Sequence, residues 1–113
     1  MAIEIKEKKQ GGLPVLVVKG RLINVDSEKF QKKLEVFCKK RYLRTIVDIS
    51  EVTFIDSFGL GTLVQHHSQI NKAGCQFILV NSNTDPNLYV YRLFEMTGLK
   101  KVFTLVNSFD EIS

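Results

Sequence analysis

The sequence predicts an α/β fold, a mixed central sheet of about four or five strands with about four helices packed on it. Three observations lead there. Segments of strand character alternate with segments of helical periodicity over most of the chain. The length, 113 residues, suits one compact domain spanning 1–113 that buries a core without metal or disulfide staples. The composition, 44% hydrophobic and 25% charged with two prolines, is that of a soluble globular protein and far from a disordered one.

The elements follow in order. Ile3 and Ile5 alternate with charged neighbours, Gly11-Gly12-Leu13-Pro14 supplies a turn, and the apolar run Val15 to Val18 returns, which makes an opening hairpin. Gly20 is expected to break that strand. Asp26 or Ser27 can then cap a helix that carries Phe30, Leu34, Phe37 and Cys38 at helical spacing and closes around Arg41. Lys39, Lys40, Arg41 and Arg44 suit the negative end of its dipole. Thr45-Ile46-Val47, ending at Asp48, is β-branched and continuously apolar, as a strand at the sheet's centre should be. A linking segment through Phe54 and Ile55 leads to a second helix that Ser57 can cap, with Leu60, Leu63, Val64 and His67 on one side and Gly74 just past its end. Gln76 to Val80 reads as a strand and Asn81 to Pro86 as a polar loop. Leu88, Tyr91, Leu93 and Phe94 outline a third helix that stops at Gly98. Val102 to Val106 supplies the last strand, and Ser108 and Asp110 can start a short fourth helix.

Several function classes are disfavoured. The formal net charge is +4, but the cations are scattered apart from the group at the end of the first helix, and no recognition motif for nucleic acid accompanies them. No apolar run approaches the roughly 20 residues of a membrane span, and the N-terminus lacks the apolar block of a secretory signal, so a cytoplasmic protein is expected. Cys38 and Cys75 have no Cys or His neighbours at metal-ligand spacing and read as ordinary small apolar residues. His66 and His67 are adjacent and therefore point about 100° apart on a helix, which gives them surface and rim roles. Gly59-Leu60-Gly61 is neither a dinucleotide fingerprint nor a phosphate loop with its lysine. No nucleophile, base and orienting residue can be assembled from spacing, so no catalytic residue, cofactor or metal is assigned.

The informative stretch runs from Val47 to Leu63 and joins a buried strand to a helix through an acidic, hydroxyl-bearing, glycine-containing turn. Ser57 can accept backbone N–H bonds at the helix start, and Asp56 adds negative charge where the dipole is positive. Those roles are purely structural, and Gly59 and Gly61 would then serve packing. Phe58 is expected to stand at least partly exposed, because Leu60, Leu63 and Val64 already supply the helix's inner face.

The turn, Asp56-Ser57-Phe58-Gly59-Leu60-Gly61, resembles the signature of STAS domains, in particular the anti-sigma factor antagonists, where aspartate, serine, one variable small residue and Gly-Leu-Gly follow a strand. Val18-Lys19-Gly20-Arg21-Leu22 is similar to the family's second strand, and Leu93-Phe94-Glu95-Met96-Thr97-Gly98-Leu99 through Phe103 to its closing helix and strand. The resemblance implies a STAS fold and a non-enzymatic protein of bacterial signalling. By that resemblance it is expected to dock on an anti-sigma factor that is also a serine kinase, and so to release a sigma factor for transcription. The resemblance further implies that phosphorylation at the helix start reverses the docking. The contact residues the resemblance implies are Asn24, Asp26, Asp56, Ser57, Phe58, Gly59, Leu60 and Thr62. Two positions depart from the pattern. Phe58 stands where many members carry the phosphorylated serine or threonine, so Ser57 is the phosphorylation candidate, while it also fits an inward-facing cap. Ile23 stands where similar proteins often have an aspartate, with Asn24 and Asp26 the nearest polar residues. Two other readings are an interaction module of another system, such as a stressosome-like scaffold or a soluble lipid-transporter component, and a small nucleotide-binding protein.

Overall fold

The computed structural model describes residues 3–112. Its sheet contains β1 (Glu4–Gln10), β2 (Leu13–Leu22), β3 (Arg44–Ile55), β4 (Gln76–Val80) and β5 (Thr104–Val106), in the spatial order β1-β2-β3-β4-β5. The β1–β2 pair is antiparallel and the other three pairs are parallel, so the sheet is mixed as expected. Gly11 and Gly12, with φ of 57° and 83°, form the hairpin between Gln10 and Leu13. Positive φ at both positions gives the turn whose twist matches the strands, and glycine adopts it without strain. Helices α1 (Asn24–Lys39), α2 (Ser57–Lys72) and α3 (Tyr89–Thr97) each connect neighbouring parallel strands. Right-handed crossovers that all advance in one direction place their helices on one face of a sheet.

That face holds the main core. Phe30, Leu34 and Phe37 of α1, Leu63 and Ile70 of α2, and Val90 and Phe94 of α3 pack on Leu16, Val18, Val47, Ile49, Phe77 and Leu79. The opposite face carries a smaller cluster of Val15, Val17, Ile46, Ile78 and Val80, covered by Leu13, Val106, Phe109 and Ile112. Continuous apolar runs in β2, β3 and β4 follow from burial on both faces.

The expected fourth helix is not an α-helix. Phe109–Glu111 makes one 3-10 turn, after which Ile112 follows three residues beyond Phe109. At three residues per turn, Phe109 and Ile112 share a side, which lets both lie on the second sheet face. The Glu111 carboxylate turns back to accept from the Asn107 backbone N–H at 2.9 Å, closing the turn.

Four boundaries also differ. Gly20 does not end β2; at φ 101° it sits at a register shift and the strand runs on to Leu22. The strand expected to stop at Asp48 continues to Ile55 through two irregularities. Between the Val17–Asp48 and Lys19–Glu51 pairs, and again between Gly20–Val52 and Arg21–Phe54, β3 contributes one residue more than β2. Each bulge resets the alternation of faces. Ile49, Val52 and Ile55 therefore all reach the helix-side core at intervals of three. α1 begins before Asp26, at Asn24, behind an extended Ile23 that supplies no side-chain cap. β5 starts at Thr104, since Leu99–Lys101 forms a 3-10 turn.

One core position is imperfect. Thr45 is fully buried and its hydroxyl has no hydrogen-bond partner among the described residues. A buried hydroxyl without a partner costs free energy that a methyl of the same shape does not. Thr45→Val is expected to raise stability by about 1 kcal/mol in urea melts; a lower midpoint would show that the hydroxyl is satisfied in solution.

Candidate functional site

The turn between β3 and α2 is built by short-range hydrogen bonds and one close approach. Leu22 and Ile55 are register partners at the ends of β2 and β3, so the starts of α1 and α2 lie side by side. The Asp56 backbone N–H donates to the Leu22 carbonyl at 3.1 Å. The Asp56 carboxylate, not the Ser57 hydroxyl, caps α2, accepting from the Gly59 N–H at 2.9 Å. Ser57 is instead the first helical residue and is exposed. An aspartate at the cap satisfies an orphan donor and places negative charge at the positive end of the dipole, which makes a serine cap unnecessary.

Gly59 is buried against β2. A Cβ there would stand 2.8 Å from both Leu22 Cγ and the Leu22 carbonyl oxygen. Glycine is therefore required by contact, and it lets the helix start rest directly on the end of the neighbouring strand. Gly61, by contrast, has open space around it.

The inner face of α2 is rotated from the expected one. Gly59, Thr62, Leu63, His66 and Ile70 are buried, while Val64 is exposed and Leu60 and His67 are partly buried. The sequence draws attention to large apolar side chains, but the closest contact is made by the smallest residue, and the helix turns accordingly. His66, expected at the surface, is buried, and its Nδ1 lies 2.9 Å from the Thr62 carbonyl. Since a carbonyl only accepts, Nδ1 carries the proton. His67 takes a rim position, edge-on to Phe77 and Phe103. Cys38 and Cys75 are free and partly buried, lining a cleft between α1 and α2. Burial pushes the Cys38 thiol up to about 11, so it is protonated and unreactive at neutral pH.

The candidate contact residues sort by exposure. Phe58 is 58% exposed, as expected, at the head of α2 next to exposed Ser57. Leu60 and Asp56 are partly buried. Gly59 and Thr62 are buried, and the Thr62 hydroxyl donates to the Phe58 carbonyl at 3.0 Å, so both shape the turn from beneath. Asp26 is partly buried in the first turn of α1 and its backbone N–H donates to the Ile23 carbonyl at 2.8 Å. The side chain of Asn24 lies outside the described residues.

Three residues of the site are not singled out by sequence. Tyr89, at the start of α3, stacks on Phe54 at 4.5 Å and its hydroxyl donates to the Ile55 carbonyl at 3.2 Å. The Arg21 guanidinium lies 5.8 Å from the centroid of the Phe54 ring. Arg21 and Phe54 are register partners, one residue from the Leu22–Ile55 pair, so this cation–aromatic stack borders the turn. The signal for it was the length of β3: Phe54 can be given a neighbour only once the strand is known to extend that far.

No helix among the described residues is long and apolar enough to cross a membrane. A family model, the STAS domain, matches residues 4–112. The anti-sigma-B factor antagonist of Listeria monocytogenes is 28% identical over 107 residues, covering 95% of this chain and 90% of that protein. The anti-sigma F factor antagonist of Paenibacillus polymyxa is 26% identical over 109 residues, covering 96% of this chain and 90% of that one. The crystal structure of an anti-sigma factor antagonist from Mycobacterium paratuberculosis superposes with a TM-score of 0.82 at 23% identity, over 97% of this chain and 90% of its own.

Proposed function

Because the chain belongs to the STAS domain family, we propose that it is an anti-sigma factor antagonist that docks on its partner in the cytoplasm through the turn at Asp56 and the first turn of α2. The observation that carries this reading is Phe58: a large apolar side chain, exposed, on a turn held in place by the Asp56 cap and the Gly59–Leu22 contact. An exposed aromatic on a rigid support is the kind of residue that anchors an interface. The relatives named above are antagonists of sigma-B and sigma F anti-sigma factors, which supports the same class of partner here. The protein acts by binding and performs no chemistry. The partner is an anti-sigma factor with serine kinase activity, and its capture releases a sigma factor.

Ser57 is the phosphorylation site in this reading. Its exposure at the helix start gives a kinase access. A phosphate would bring a charge of about −1.5 to −2 to a turn that already holds the Asp56 carboxylate, with the Gly59 N–H already engaged. The helix N-terminus tolerates that charge, but a desolvated interface does not.

Affinity capture with the immobilised chain tests the reading: a serine-kinase anti-sigma factor should be recovered, and recovery of a transporter subunit or a multi-STAS scaffold would overturn it in favour of another system. Ser57→Asp is expected to weaken that binding while leaving the thermal melt unchanged, since aspartate suits the first turn of a helix. Calorimetry with the captured partner reads the affinity. An unfolded variant would make Ser57 structural, and unchanged affinity would remove the turn from the interface.

A further inference from the structure

Cations that look scattered along the sequence gather on one flank of the fold. β1, α1 and the two residues after α1 hold nine lysines and arginines against five carboxylates, whereas the rest of the chain holds seven of each. The formal net charge of +4 therefore resides on this flank. Three of its five carboxylates are already engaged: Glu7 by Lys40 at 2.8 Å, Glu28 by Lys32 at 3.1 Å and Glu35 by Lys39 at 3.2 Å. Lys33 is exposed and has no partner among the described residues. The Lys29 ammonium lies 3.4 Å from the Ile3 carbonyl, turned toward the start of β1.

Between β1 and α1 on the same flank lies a groove of about 670 Å³. Ile5 and Leu16 give it an apolar floor. Val36, 59% exposed, borders it from α1 together with Lys29, Lys32 and Lys33. The far side of the groove is a sheet edge. β1 is hydrogen-bonded to β2 alone, so along its seven residues half of the backbone N–H and C=O groups face outward without a strand partner.

We propose that this flank is a second docking surface, which takes an extended acidic segment of a partner protein as an added strand on β1. Its apolar side chains would enter the groove and its carboxylates would meet the α1 lysines. An edge strand with a helix beside it is the arrangement in which peptides add to a sheet, the main-chain bonds giving affinity and the pockets giving selectivity. A small anion could answer the lysines but not the row of alternating donors and acceptors on β1, which only another extended backbone matches. Charge decides which strand is accepted. A second copy of this chain would set its own positive flank against this one, and lysines on an edge guard against such self-pairing. An acidic strand is attracted by the same lysines. The surface is separate from the turn at Asp56, which follows β3, two positions along the sheet from β1.

Amide NMR of the full chain tests the surface, titrated with an octapeptide that alternates valine and glutamate and separately with one that alternates valine and lysine. The glutamate peptide is expected to give saturable shifts along β1 and at Lys29, Lys33 and Val36, to slow hydrogen exchange at the outward-facing β1 amides, and to bind less tightly as salt is raised. The lysine peptide is expected not to bind. Lys33→Glu, at an exposed and unpaired position, should weaken binding of the glutamate peptide about fivefold or more. Val36→Ala removes the apolar border, and because alanine is the better helix former it should weaken binding while the melting temperature holds or rises. A variant that keeps its stability and loses the peptide cannot be a folding failure. Equal binding of the two peptides, shifts centred on the α2 turn, unchanged exchange at the β1 amides, or self-association through β1 without peptide would each overturn the proposal.

Discussion

Gly59→Ala is expected to lose about 2 kcal/mol of stability, lowering the melting temperature by about 8 °C for a domain of this size. The added Cβ would meet Leu22 Cγ and the Leu22 carbonyl oxygen at 2.8 Å, well inside contact distance. Neither neighbour can easily give way. Leu22 is fully buried, and its carbonyl is backbone that already receives the Asp56 N–H. Overpacking of this kind costs roughly 1–3 kcal/mol, and the upper end applies where backbone must move. Alanine returns up to about 1 kcal/mol through its better helix propensity, so the net sign is a loss. Thermal and urea melts of the variant decide the matter. An unchanged or higher midpoint would show that the head of α2 slides freely off β2, and the rigid support ascribed to the turn would be lost with it.

Phe58→Ala is expected to do the opposite: affinity for the partner falls roughly tenfold or more while the melting temperature hardly moves. At 58% exposure the ring has little core contact to lose. A buried phenylalanine replaced by alanine costs about 3–5 kcal/mol of stability, so a structural Phe58 and an interface Phe58 give opposite pairs of results. Retained affinity in a destabilised protein would assign the ring to the fold and move the interface elsewhere.

Much of the architecture was legible in the residues, because the signals were local. The period-two alternation around Ile5, the paired glycines of the hairpin, Gly74 and Gly98 just past their helices, and the helical spacing of Phe30, Leu34 and Phe37 each act within a few positions. What escaped was set across the chain. The depth of Gly59 is decided by Leu22, 37 positions earlier, and it turns α2 so that His66 goes inside and Val64 outside. The cap at Asp56 instead of Ser57 depended on where β3 ended, and apolar patterning broken by bulges does not announce that end. The stack of Arg21, Phe54 and Tyr89 joins three separate elements, which no window along the sequence can bring together.

The two bulges in β3 bear on how this protein can vary. Side chains in a strand alternate strictly, so removing either extra residue would turn everything downstream to the opposite face. Ile55 would leave the core and the Phe54 ring would enter it, and loss of the first extra residue would turn Val52 out as well, while the head of α2 would be carried round with them. A single deletion between Ile49 and Phe54 should therefore be far more damaging than most substitutions there. Related chains that share the turn at Asp56 should keep the number of residues from Ile49 to Asp56 even where they keep few of the side chains.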